Sequence, residues 1–217
     1  MEYVLYLSLL LIDSIFGFYY YKRLNIAFQL LVQLIFITFL FESLSELLIR
    51  VRLINTNFPF YHVLQDIQLL YSGVIYFHLN KSFGGKVWFI IPSTIFLTFV
   101  LIGISSIYQP YVEFPTFGSL ILSLFIIVHS LFLYFKMMIT PSDVPIFKQG
   151  TFWLNSANFF FYSVTFLAFG YFTYVQEQND QTPQWVTFLV KASNFMFYTL
   201  YGLSMFYSTQ LARHGKH

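Results

Sequence analysis

There is no cysteine anywhere in the 217 residues, which excludes disulfides, cysteine-ligated metals, iron–sulfur clusters and thiol nucleophiles. Charge is almost as scarce. Only 9% of residues are Asp, Glu, Lys or Arg, against about 25% in a typical soluble domain. The net charge of +2 sits in short connecting segments and forms no basic stripe, so nucleic acid is not an expected partner. No Gly-rich phosphate loop, nucleophile elbow or Walker-type motif occurs. The connections have no room for a soluble catalytic domain. No enzyme activity and no cofactor are therefore expected. There is also no internal repeat, direct or inverted, which weighs against a transporter built from duplicated halves.

What the chain has in abundance is apolar surface: 58% of residues are hydrophobic, with 30 Phe and 17 Tyr. A soluble fold of this size could not hide so much, so lipid is the expected solvent. Seven apolar segments recur at 3–21, 26–49, 59–79, 87–107, 116–138, 151–175 and 185–208. Each is about 20 or more residues, enough to cross a hydrocarbon core of about 30 Å. The first is read as a span rather than a signal peptide, because Glu2 stands where a basic region should be and Lys22 and Arg23 follow the apolar run. The predicted fold is all-α, a seven-helix transmembrane bundle forming a single domain over residues 1–217.

Basic residues orient it. Alternate loops put Lys22, Arg23, Lys81, Lys86, Lys136, Lys148, Arg213 and Lys216 on one side and only Arg50 and Arg52 on the other. The positive-inside rule then predicts an outside N-terminus and a cytoplasmic C-terminus. Pro92 and Ser93 predict a kink near the cytoplasmic end of the fourth span. The segment TPSDVP at 140–145 predicts a rigid bend.

The chemistry concentrates on the hairpin from Phe39 to Tyr76. Glu42, Glu46 and Arg50 are spaced i, i+4, i+8, and His62 and Asp66 are spaced i, i+4, so each set lies on one helix face. Lys191 and Asn194 on the seventh span fall at a similar depth, with Tyr198 on the same stripe. Ionisable groups inside a membrane are costly and face a protein interior or a wet cavity. Glu42, Glu46, His62, Asp66, Lys191 and Asn194 are therefore the candidate ligand-binding residues, in an outer pocket between helices two, three and seven. In this arrangement Lys191 is expected to pair with Asp66 or Glu46. The alternative is a structural ion-pair network that pins those helices together.

A metal site is not predicted. His62 and Asp66 could both ligate one ion, but His78 and His129 lie at other depths. His129 is read as a hydrogen-bonded interior histidine. Asn155, Asn158, Tyr162, Asn194 and Tyr198 on the last two spans are read chiefly as hydrogen-bonding groups between helices. An acid on the third span and a lysine on the seventh match the retinal-protein arrangement only in outline, because the sequence FLVKASNFMFY around Lys191 lacks that pattern.

The stretches NTNFPFYHVLQDIQLLYSGVIYF, GTFWLNSANFFFYSVTFLAFGYF and FLVKASNFMFYTLYGLSMF together resemble a group of small seven-helix membrane proteins of Bacteroidetes. The matching positions are Asn57, Tyr61, His62, Asp66, Phe152, Trp153 and Asn155, with Lys191 standing where that group carries a histidine before Asn194 and Tyr198. Members accompany signalling genes such as histidine kinases. The resemblance implies a multi-pass protein of the bacterial inner membrane with a sensing or scaffolding role, acting through a membrane or signalling protein partner. A small transporter or channel using the acidic pocket is the alternative, and an intramembrane enzyme the third.

Overall fold

The computed structural model describes residues 2–84, 87–140, 143–177 and 184–214, with side chains throughout except at 2, 173–177, 187 and 212–214. Lys86, Lys216, the side chain of Arg213, Pro141 and Ser142 of the expected bend, and residues 178–183 lie outside this description. Of the described residues, 85% are helical. No strand occurs among the described residues. Seven α-helices follow in order: α1 Glu2–Tyr19, α2 Ile26–Arg50, α3 Phe58–Ser82, α4 Ile90–Ile107, α5 Thr116–Ile139, α6 Gly150–Glu177 and α7 Gln184–His214.

Local chemistry sets several of the boundaries. The Asn25 side chain accepts from Phe28 N–H at 3.2 Å and caps α2. At the far end Arg52 adopts φ +57° and Leu53 N–H reaches back to Leu48 C=O at 3.0 Å, which closes the last turn. Pro59 occupies the first turn of α3, where its missing N–H costs nothing. Pro92 corrects the sequence expectation. Because α4 begins at Ile90, Pro92 lies in its first turn, where no intrahelical N–H is needed, and so gives no reason for a kink.

The helices close into a ring. α1 packs on α2, α2 on α3, α3 on α5, α5 on α6, α6 on α7 and α7 back on α1. α4 packs outside this ring, against α3 and α5, and leaves Phe96 and Phe99 largely exposed. α4 comes close to α3 at Gly73. A Cβ there would collide with the Thr94 side chain, so only glycine lets the two helices meet. The core inside the ring is built from Phe28, Leu31 and Ile35 of α2, Leu69 and Tyr76 of α3, and Ile126 and Leu133 of α5, with Leu154 and Met205 from α6 and α7.

Among the described residues three helices, α2, α4 and α5, are long and apolar enough to cross a membrane, and α1 carries a shorter apolar stretch. Many of the polar residues that lower the hydropathy of α3, α6 and α7 are buried, although Lys191 and Thr199 on α7 are exposed. Ser72, Asn80, Asn155, Asn158, Thr165 and Ser204 are all buried, while Phe160, Leu167, Phe188, Phe195 and Phe206 are exposed.

Candidate functional site

A cavity of about 690 Å³ lies inside the ring, toward the end that holds the N-termini of α1, α3, α5 and α7. Six helices line it. Among the lining residues are Tyr3, Glu42, Gln65, Ser123, Phe161 and Tyr198. α4, outside the ring, contributes none. A cavity of this size matches a small-molecule pocket, apolar in its walls with a few convergent polar groups.

Its strongest polar feature is Glu42, which is buried. Tyr3 Oη donates to the Glu42 backbone carbonyl at 3.0 Å and approaches Oε2 at 3.4 Å. Tyr6 Oη donates to Oε1 and Tyr61 Oη to Oε2, both at 3.4 Å. Asn57 Nδ2 donates to Tyr61 Oη at 3.2 Å and holds that phenol in place. Three hydroxyls from two other helices therefore surround one carboxyl. Tyr198, its ring centroid 5.5 Å from that of Tyr6, extends the aromatic wall onto α7.

On the α3–α5 side, Gln65 Nε2 donates to Ser119 Oγ at 2.5 Å and to Pro115 C=O at 3.3 Å. One helical turn beyond Ser119, Ser123 is wholly buried, lines the cavity, and its Oγ has no partner among the described residues. Buried polar atoms are nearly always satisfied, so this hydroxyl stands out in the cavity lining.

The six predicted site residues divide. Glu42, Lys191 and Asn194 line the cavity. Glu46 does not. It accepts from Arg50 Nε at 2.7 Å in a surface i, i+4 pair. His62 turns away from the cavity, with Nδ1 2.8 Å from Ser105 Oγ on α4 and Nε2 3.1 Å from the Glu113 carbonyl. Asp66, half-buried and one turn along the same stripe of α3, is also absent from the cavity wall. Lys191 is exposed. Among the described residues no ion pair joins it to Asp66 or Glu46, which corrects the expected pairing: Glu46 is taken by Arg50, and Asp66 shares the His62 stripe rather than the cavity face. The expected pocket between helices two, three and seven thus includes α1, α5 and α6 as well. No cluster of three or more metal-ligating side chains occurs among the described residues.

Sequence reasoning missed the tyrosine cage. Its signal was present as Tyr3 and Tyr6, spaced i, i+3 on α1, but tyrosines near a helix end are equally at home in an interfacial belt.

A second polar layer lies deeper. Tyr76 Oη lies 2.6 Å from Ser130 Oγ and accepts from Asn158 Nδ2 at 3.0 Å. Tyr201 Oη donates to Asn158 Oδ1 at 2.5 Å, and Asn155 Nδ2 donates to the Ser130 carbonyl at 3.0 Å. This layer joins α3, α5, α6 and α7. It bears out the reading of Asn155 and Asn158 as interhelical groups. His129 is buried beside it, with Nδ1 2.8 Å from the Phe125 carbonyl and its ring against Phe125.

No protein family's sequence profile, no curated protein and no solved structure matches the chain.

Proposed function

We propose that this chain is a seven-span membrane protein that senses a small molecule in the ring cavity and passes the signal to a protein partner. The observation that carries the reading is the cavity itself: about 690 Å³, walled by aromatic side chains, with the buried Glu42 on one side and the unsatisfied Ser123 hydroxyl on another. The outer surface suits seven spans, since α3, α6 and α7 bury Ser72, Asn80, Asn155, Asn158, Thr165 and Ser204 and expose large apolar side chains such as Phe160, Leu167, Phe195 and Phe206. The basic residues Lys22, Arg23, Lys81, Lys136 and Lys148 lie at the end opposite the cavity, so the positive-inside rule opens the cavity to the outside. A bacterial inner membrane is the matching compartment.

Output through a partner follows from the short connections. The longest described helix, α7, has 31 residues, about 46 Å at 1.5 Å per residue. It runs from Lys191 at the cavity to the basic end, and a ligand that shifts it would alter the face a partner sees.

The test is purification in mild detergent of the wild type and a cavity-filling Thr165→Trp variant, with native mass spectrometry of each. A small molecule retained by the wild type and lost by the variant, together with a co-purifying membrane or signalling protein, is the expected result. Solute or ion flux in liposomes containing this protein alone, abolished by Glu42→Gln, would replace sensing with transport.

A further inference from the structure

The cavity carries information about the charge of its ligand. Glu42 is buried, and among the described residues no ion pair joins it to a cation. Its neighbours are neutral phenols, which donate hydrogen bonds to the carboxyl but bring no positive charge. A carboxylate in such a place is costly unless it takes up a proton or an opposite charge is supplied. The nearest basic residue on its own helix, Arg50, is engaged with Glu46 at the surface. Lys191 lines the same cavity at its exposed rim. It stands seven residues, about 10 Å along the helix axis, from Tyr198 beside the cage. The surroundings of Glu42 also suit a cation in a second way. Tyr3, Tyr6 and Tyr61 direct their hydroxyls at the carboxyl, and the cavity beside it is lined by further aromatic side chains, Phe161, Phe197 and Tyr198, a kind of surface that attracts an ammonium group.

Resting on the reading of the cavity as a ligand site, we infer that its ligand is an organic ammonium compound: a cationic head held by Glu42 among the three tyrosines, and an apolar body along Phe161 and Phe197. Those two rings stack with centroids 4.3 Å apart at 24°, and both residues line the cavity. An ammonium head of this kind is carried by free amines and by lipid headgroups alike, and the experiment separates the two.

The experiment uses the full-length protein in maltoside micelles and three probes sharing one skeleton: 3-phenylpropylamine, 3-phenylpropanol and 3-phenylpropanoate. Affinities come from equilibrium dialysis, checked by thermal shift. The wild type should bind the amine at least tenfold more tightly than the alcohol, a difference of about 1.4 kcal/mol, and the carboxylate most weakly. Glu42→Gln should bring the amine and alcohol within twofold of each other. Added phosphatidylethanolamine that competes with the amine identifies a lipid headgroup as the source of the ammonium, and no competition identifies a soluble amine. Both outcomes support the cage. Equal wild-type binding of amine and alcohol overturns the charge inference and leaves the cavity standing as a ligand site. Binding of none of the three overturns both. Preference for the carboxylate overturns the inference and moves the charge recognition to Lys191. If Glu42→Gln does not fold, the wild-type comparison and Glu42→Asp, which keeps the charge and should keep the preference, still decide the question.

Discussion

The Tyr76 hydroxyl accepts the side-chain amide of Asn158 at 3.0 Å across 82 residues of sequence, and Asn158 in turn accepts from Tyr201. One asparagine on α6 thus ties α3 to α7. On the seven-span reading proposed above, lipid leaves little hydrophobic drive for helices to associate, and packing and hydrogen bonds decide the arrangement.

Asn158→Leu should therefore lower thermal stability in detergent more than Tyr201→Phe does. The leucine removes both bonds, leaving the Tyr201 hydroxyl without its acceptor while Tyr76 keeps Ser130, whereas the phenylalanine leaves one amide oxygen short. The expected losses are about 1–3 kcal/mol for the first and about 1 kcal/mol for the second. A cycle of Tyr76→Phe with Asn158→Ala should show coupling above about 0.5 kcal/mol. Additive losses would mean that the layer contributes packing and no hydrogen-bond energy.

Asp13 and Gly202 depend on each other. Asp13 is buried on α1, and a Cβ added at Gly202 on α7 would lie 2.7 Å from its Oδ1. Gly202→Ala should destabilise the bundle by about 1–3 kcal/mol through overpacking. In an Asp13→Ala background the same change should be neutral or stabilising, because alanine is about 1 kcal/mol better than glycine within a helix. Unfolding midpoints of the four proteins check this. A loss of equal size in both backgrounds would show that the carboxyl is not what requires the glycine.

Topology has its own test. Fusion of a reporter after His217 should give cytoplasmic-type activity only, because the basic residues gather at the end of the bundle away from the cavity. Periplasmic-type activity would invert the protein and open the cavity inward.

Much of this fold was legible because helix boundaries follow apolar runs. The predicted segment 26–49 became α2 Ile26–Arg50 and 116–138 became α5 Thr116–Ile139. What could not be read was which face of each helix meets which neighbour. Glu42 and Glu46 are one turn apart and look alike in sequence, and His62 and Asp66 look like their partners across the hairpin. The ring arrangement separates them. With α4 packed outside, the His62 stripe of α3 faces Ser105, while Tyr61 and Gln65 on the adjacent stripe face the cavity. Pairing along one helix is written in the spacing, as Glu46 and Arg50 show. Pairing across a ring depends on the order of packing, which no local pattern encodes.

That separation of Glu42 from Glu46 is itself measurable. Glu46 and Arg50 form an i, i+4 pair in which the arginine side chain is 68% exposed. Such surface pairs contribute about 0.3–0.5 kcal/mol and weaken with salt. Arg50→Ala and Glu46→Ala should each change stability by no more than about 0.5 kcal/mol. Glu42→Leu removes the shared acceptor of three tyrosine hydroxyls and should cost about 1–3 kcal/mol, with little salt dependence because the group is buried. Thermal unfolding of the three variants in micelles at low and high salt provides the check. If Glu42→Leu were as mild as Arg50→Ala, the tyrosine hydroxyls would be satisfied by water in the cavity, and Glu42 would have no structural role apart from whatever binds there.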